Sequence, residues 1–179
     1  RALENSPAVN HRHRIEHAAI TPPDLLERMK RLNVVPIPNP AFIRDFGDGY
    51  MADYGERVND MFPSRSFLDA GIIAAIGSDS PITAYHPMVG IDAAVNRLSQ
   101  SGRAVGEGER ISLMEAIRMY TWNGAYASFE EDIKGSLEKG KLADMVVLDR
   151  PILDVRSDEI KEIAVDMTVI DGEIVFERG

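Results

Sequence analysis

The stretch "IIAAIGSDSP", residues 72–81, constrains the fold more than any other part of this chain. It is apolar without alternation until polar residues and Pro81 stop it. A strand with one wet face alternates, so an unbroken apolar run marks a strand covered on both faces. Sheets built from such strands are parallel and carry helices on each side, which predicts a strand–helix repeat around it. The preceding sequence has that repeat. "VNHRHRIEHAAI" reads as a strand ending near His17. "TPPDLLERMKRLN" reads as a helix, with Thr21 as N-cap and prolines and Asp24 in its first turn. "VVPIPNP" reads as a buried strand breaking into a loop, too proline-rich to stand alone. "AFIRDFGDGYMADYGERVNDMFP" has no clear period and is read as a long loop holding no more than one helical turn. "SRSFLDAG" is a short helix capped by Gly71, and "PMVGIDAAVNRLSQSG" and "SLMEAIRMYTWNGAYASF" are helices beyond the apolar strand.

The pattern changes after Phe129. "KGSLEKGKLADMVVLD" holds short strands broken by glycines, and "IAVDMTVIDGEIVFERG" reads as a hairpin turning at Asp171-Gly172. The chain therefore divides into an α/β part over residues 1–130 and a β-rich segment over 131–179.

"HRHRIEH", residues 11–17, gathers three of the four histidines. In a strand His11, His13, Ile15 and His17 share one face, and Arg12, Arg14 and Glu16 share the other. His13 and His17 are then about 13 Å apart, too far for one ion, whereas His11 and His13 at about 6.6 Å could bridge a zinc. Either that pair or His17 alone is the candidate. Cysteine is absent, so any metal site must use His, Asp or Glu. The formal charge of −9 argues against a nucleic-acid surface, and no run of about 18 apolar residues predicts a membrane span. The chain starts at Arg1 without a methionine or signal-like stretch, so it is read as a piece of a longer protein. Its compartment is unknown from these features, with the cytoplasm favoured.

Two strand ends, "RIEH" and "GSDSP", together with the tail "GSLEKGKLADMVVLD … VIDGEIVFERG", resemble the amidohydrolase superfamily, in particular its amidohydrolase-3 branch of metal-dependent hydrolases. The resemblance implies a (β/α)8 TIM barrel with one or two metal ions at the C-terminal ends of its strands. The ligands are a His-x-His pair on the first strand, a Lys or Glu on the fourth, histidines on the fifth and sixth, and an Asp on the eighth. It also implies a composite β-sandwich to which the tail contributes.

Spacing then chooses among the histidines. His11 and Asp79 are 68 positions apart. One βα unit takes about 30 residues, so two units fit between them and seven do not. His17 is therefore matched to the sixth strand, "VVPIPNP" to the seventh and Asp79 to the eighth. The expected fold is α/β, the C-terminal part of a TIM barrel (strands 6–8) plus part of a sandwich. His17 and Asp79 are the expected metal ligands, and Asp79 is also the expected proton acceptor. Asn39 and His86 are candidates for substrate contact. His13 is expected to fill the interior, and Glu16 to pair on the outer face. Phe42, Phe46, Tyr50 and Tyr54 are expected either to wall a substrate or to anchor their loop, while Trp122 and Tyr126 pack.

The resemblance implies hydrolysis of a non-peptide amide or related C–N bond of a small molecule. The cofactor would be a divalent metal, most plausibly zinc, with its remaining ligands outside this chain. The implied partner is the missing N-terminal part of the same protein or a companion chain, and neither a nucleic acid nor a membrane. The rival expectation is a non-catalytic or degenerate barrel piece acting only through association.

Overall fold

A computed structural model describes residues 2–5 and 10–179. The Val9 start expected for the first strand lies outside them. Helix α1, Ala2–Asn5, precedes strand β1, Arg14–His17; helix α2, Pro23–Arg31, then leads to strand β2, Val35–Pro38. The two strands pair in parallel, with Arg14 opposite Val35 and His17 opposite Pro38. Helix α2 starts where it does because Pro23 at its first position needs no N–H partner, and Asp24 and the basic Arg28, Lys30 and Arg31 suit the two ends of its dipole. Its N-cap is Pro22. Thr21 does not cap it, because its hydroxyl donates instead to the Ala18 carbonyl at 3.0 Å.

Residues 41–54 form a helix, α3, where a loop was expected. Phe42, Phe46, Tyr50 and Tyr54 recur every four residues, so their rings line one side of it in tilted and edge-on contacts, with centroids 5.3, 6.2 and 6.0 Å apart in sequence order. Gly47 is required inside that helix by a close neighbour, since a Cβ there would meet Val105 at 3.0 Å and Ser99 at 3.2 Å. Helix α4, Ser64–Asp69, follows and ends at Gly71, whose φ of 73° suits glycine.

The apolar run is extended and covered on both faces, as its composition demands. Ala74 and Ile76 enter the main core with Phe67, Met88, Ile91, Ala116 and Met119, while Ala75 packs the other way against Val35, Ile37 and Ala127. Yet it does not complete a regular strand. Ala75 N–H donates to Pro36 O at 3.2 Å and Gly77 N–H to Pro38 O at 3.1 Å, which is one half of a parallel ladder. The returning half would come from the N–H groups of residues 36, 38 and 40, and all three are proline. The ladder is thus cut by the composition of β2 and its exit.

Beyond it come α5, Pro87–Asn96, then α6, Leu113–Tyr120, and α7, Trp122–Ala127. Ser112 and Glu115 form a reciprocal capping box that starts α6. The two long helices expected here are shorter. Helix α5 stops at Arg97, whose φ is 52°, and Thr121 breaks α6 from α7. The tail is an antiparallel sheet of β3, Met145–Leu148, β4, Val165–Ile170, and β5, Glu173–Glu177, with the expected turn at Asp171-Gly172. Ile160 and Ile163, just before β4, are fully buried in the same core cluster as α5 and α6. The chain exposes 10245 Å², against about 8600 Å² for a self-contained monomer of its 19.8 kDa mass. Part of the excess lies on the tail sheet, where Val146, Val147, Ile174, Val175 and Phe176 are exposed. No helix among the described residues is long and apolar enough to cross a membrane.

Candidate active site

Because β1, β2 and the extended segment 72–79 run in the same direction, their C-terminal ends form one rim. His17 ends β1, Asn39 follows β2, and Asp79 ends the third segment, so residues 62 positions apart in sequence are brought to one side. His17 and Asp79 both have left-handed backbone, with φ of 66° and 55°. For non-glycine residues that conformation carries a cost, and it gathers at functional sites. Both side chains are exposed. Among the described residues, no backbone N–H caps itself on the Asp79 carboxylate; the turn is held by Ile82 N–H on Asp79 O at 2.8 Å and by the Thr83 hydroxyl on Ser78 O.

Asn39 joins the three ends of the rim. It is 3% exposed, its Nδ2 donates to Gly77 O at 2.8 Å, and its Oδ1 lies 2.8 Å from His17 Nδ1. A carbonyl can only accept, so the amide NH2 faces Gly77 and the amide oxygen faces His17. His17 Nδ1 therefore carries the hydrogen and Nε2 keeps its lone pair. The Phe42 ring, 6.1 Å from the imidazole, backs His17 on the helix side.

The other histidines are used differently. His11 Nε2 donates to Leu32 O at 2.9 Å and its Nδ1 accepts from His13 N–H at 3.0 Å, so neither nitrogen of His11 is free for an ion. His13 is exposed and stacked on His11 at 4.5 Å, not in the interior as expected. Glu16 pairs with Arg14 at 3.0 Å on the outer face. His86 is the N-cap of α5, its Nδ1 accepting from Met88 N–H at 3.3 Å. Trp122 and Tyr126 stack at 5.5 Å, in packing roles.

The fit of a divalent ion can be judged from the donors present. An imidazole nitrogen with its second nitrogen already held, and a carboxylate clear of the backbone, are donors that zinc, manganese or iron accept. They are two, and among the described residues no cluster of three or more His, Cys, Asp or Glu could hold an ion. A catalytic metal takes three protein ligands, so the rim alone falls short of a complete set. A cavity of about 1060 Å³ lies elsewhere, between α6–α7 and the tail strands β3 and β4, where Tyr120, Trp122, Val146 and Val169 are among its walls.

Comparison with known proteins places the chain in a family. The Amidohydrolase family model matches residues 1–176, and the chain belongs to that family. It is 36% identical over 167 residues to the N-substituted formamide deformylase of Arthrobacter pascens, covering 92% of this chain and 31% of that protein. It superposes on an uncharacterized metal-dependent hydrolase from Pyrococcus horikoshii with a TM-score of 0.74 and 30% identity, over 87% of this chain and 32% of that one. A second uncharacterized metal-dependent hydrolase, from Pyrococcus furiosus, gives 0.64 and 34%, over 78% and 28%. The chain thus spans about a third of the length of the relatives it matches.

Proposed function

We propose that this chain is the C-terminal part of a metal-dependent amidohydrolase that cleaves a non-peptide C–N bond of a small molecule. In this reading β1, β2 and residues 72–79 are the sixth, seventh and eighth strands of a (β/α)8 barrel, and residues 131–179 are its share of a composite sandwich. The observation that carries it is the rim itself, where His17, with Nε2 uncommitted, and the exposed Asp79 end parallel segments on the same side. In a barrel of this kind, chemistry sits at that end of the strands. Relatives that include a formamide deformylase and metal-dependent hydrolases support the bond class and the metal.

His17 and Asp79 would hold the ion, with zinc the expected metal and its other ligands contributed from outside this chain. The ion, when bound, supplies Lewis acidity for a carbonyl oxygen and lowers the pKa of water toward neutrality. Asp79 accepts the proton of the attacking water and returns it to the departing nitrogen, which leaves as a neutral amine. His17 orients through Asn39, so its lone pair keeps one direction throughout. Asn39 commits both ends of its amide to protein contacts, and His86 gives Nδ1 to the Met88 N–H as the cap of α5. The surface in excess of a monomer's supports a body that is completed by further chain.

The test is Asp79→Asn in the complete protein. Asparagine preserves size and cannot take the proton, so turnover is expected to fall by several orders of magnitude with the thermal midpoint nearly unchanged. Retained turnover with metal still bound would reduce Asp79 to a turn residue.

A further inference from the structure

We propose that Asn39 is a positioning residue for the metal centre, fixed by the proline-broken edge of β2 so that its amide oxygen sets the tautomer of His17. The inference rests on the reading of His17 as a ligand. It starts from an orphan acceptor. In the parallel pairing begun by Ala75 on Pro36 O and Gly77 on Pro38 O, the next bond would run from the N–H of residue 40 to Gly77 O. Residue 40 is proline and has no N–H. The side chain of Asn39 supplies the missing donor, Nδ2 reaching Gly77 O at 2.8 Å.

That bond removes the freedom of the amide to turn over. With Nδ2 committed to a backbone carbonyl, Oδ1 is the end left for His17, at 2.8 Å from Nδ1. Exchanging the two ends would set an amide oxygen against a carbonyl oxygen around a buried side chain, where water cannot easily relieve the clash of acceptors. The imidazole is thereby held as the Nδ1–H form. Gly77 belongs to the same device, because a Cβ there would meet Asn39 Nδ2 at 3.2 Å and Ile37 Cγ2 at 3.3 Å. Serine or threonine at position 39 would be too short to span both partners, and glutamine would displace one of them.

The tests use the complete protein that carries this chain. In the metal-free protein with 15N-labelled histidine, His17 being assigned by loss of its signals in His17→Ala, Nδ1 is expected to show the protonated, pyrrole-type shift and Nε2 the bare, pyridine-type shift above the range where histidine protonates. The reverse assignment would overturn the proposal without any substitution at Asn39. Zinc affinity, measured by competition with a chelator, is expected to fall about ten- to a hundred-fold in Asn39→Leu. Gly77→Ala should fall between that variant and the unmodified protein, because it crowds the amide without removing it. If His17→Ala lowers zinc affinity and Asn39→Leu does not, the positioning role is wrong and the ligand reading stands. If His17→Ala itself leaves zinc affinity unchanged, the ligand reading fails and the inference falls with it.

Discussion

Arg12 and Glu131, 119 positions apart in sequence, meet in a two-pronged ion pair that ties the entry of β1 to the segment after α7. The guanidinium also donates to Tyr126 O and lies over the rings of Tyr126 and Phe129, at 3.8 and 4.4 Å from their centroids. This is the end of β1 opposite His17, so the cluster holds the strand in place without reaching the rim. Arg12→Ala should remove the pair, the carbonyl bond and the stacking together, and destabilise the protein by about 2–3 kcal/mol in chemical denaturation. Arg12→Lys should recover less than half of that loss, since an ammonium reproduces neither the fork nor the flat stacking surface.

Glu115 answers to pH. Arg65, bonded to it, and Ser112 in the capping box hold its carboxyl down from the ordinary 4.5 to about 2. A depressed carboxyl stabilises the fold above its unfolded value and loses that contribution as pH falls toward the folded one. The gap in melting temperature between the protein and Glu115→Gln should therefore be full above pH about 5 and shrink between about 4.5 and 2. A gap that stays constant over that window would assign the effect of Glu115 to packing.

Arg97 is fully buried and, among the described residues, pairs with no carboxylate. Its guanidinium donates to Val105 O, Phe62 O and Met61 O, fastening the loop after α5 to the approach of α4. Burial pulls its pKa down to about 10. Arg97→Met keeps much of the volume and strands three carbonyls, so a loss of about 3–5 kcal/mol is expected in chemical denaturation. A loss below about 1 kcal/mol would mean that water replaces the guanidinium there.

How much of this was legible in the sequence depends on whether a feature is local. Helix α2 announced itself through the prolines and Asp24 of its first turn, though not through its cap, and the tail hairpin through Asp171-Gly172. The two-sided burial of residues 72–76 followed from the lack of alternation. Helix α3 was hidden by Gly47 and Gly49, although the four-residue spacing of its aromatics was there to be counted. The broken ladder was also readable in principle, since prolines at 36, 38 and 40 all face one edge once β2 is paired. Asn39 was not. Its role depends on the register between β2 and residues 75–77, and on the carbonyl that Pro40 leaves open, neither of which any local pattern carries. The burial of Arg97 was equally out of reach, because its partners lie 35 and 36 positions away.

The central claim is that His17 and Asp79 hold one divalent ion between them in the complete protein. The most direct measurement is the metal content of the purified protein by plasma mass spectrometry, compared among the unmodified protein, His17→Ala and Asp79→Ala. The account predicts a firmly bound divalent metal that falls well below stoichiometric in each variant while the far-ultraviolet circular dichroism stays unchanged. Full metal content in both variants would contradict it, and would place the centre away from this rim.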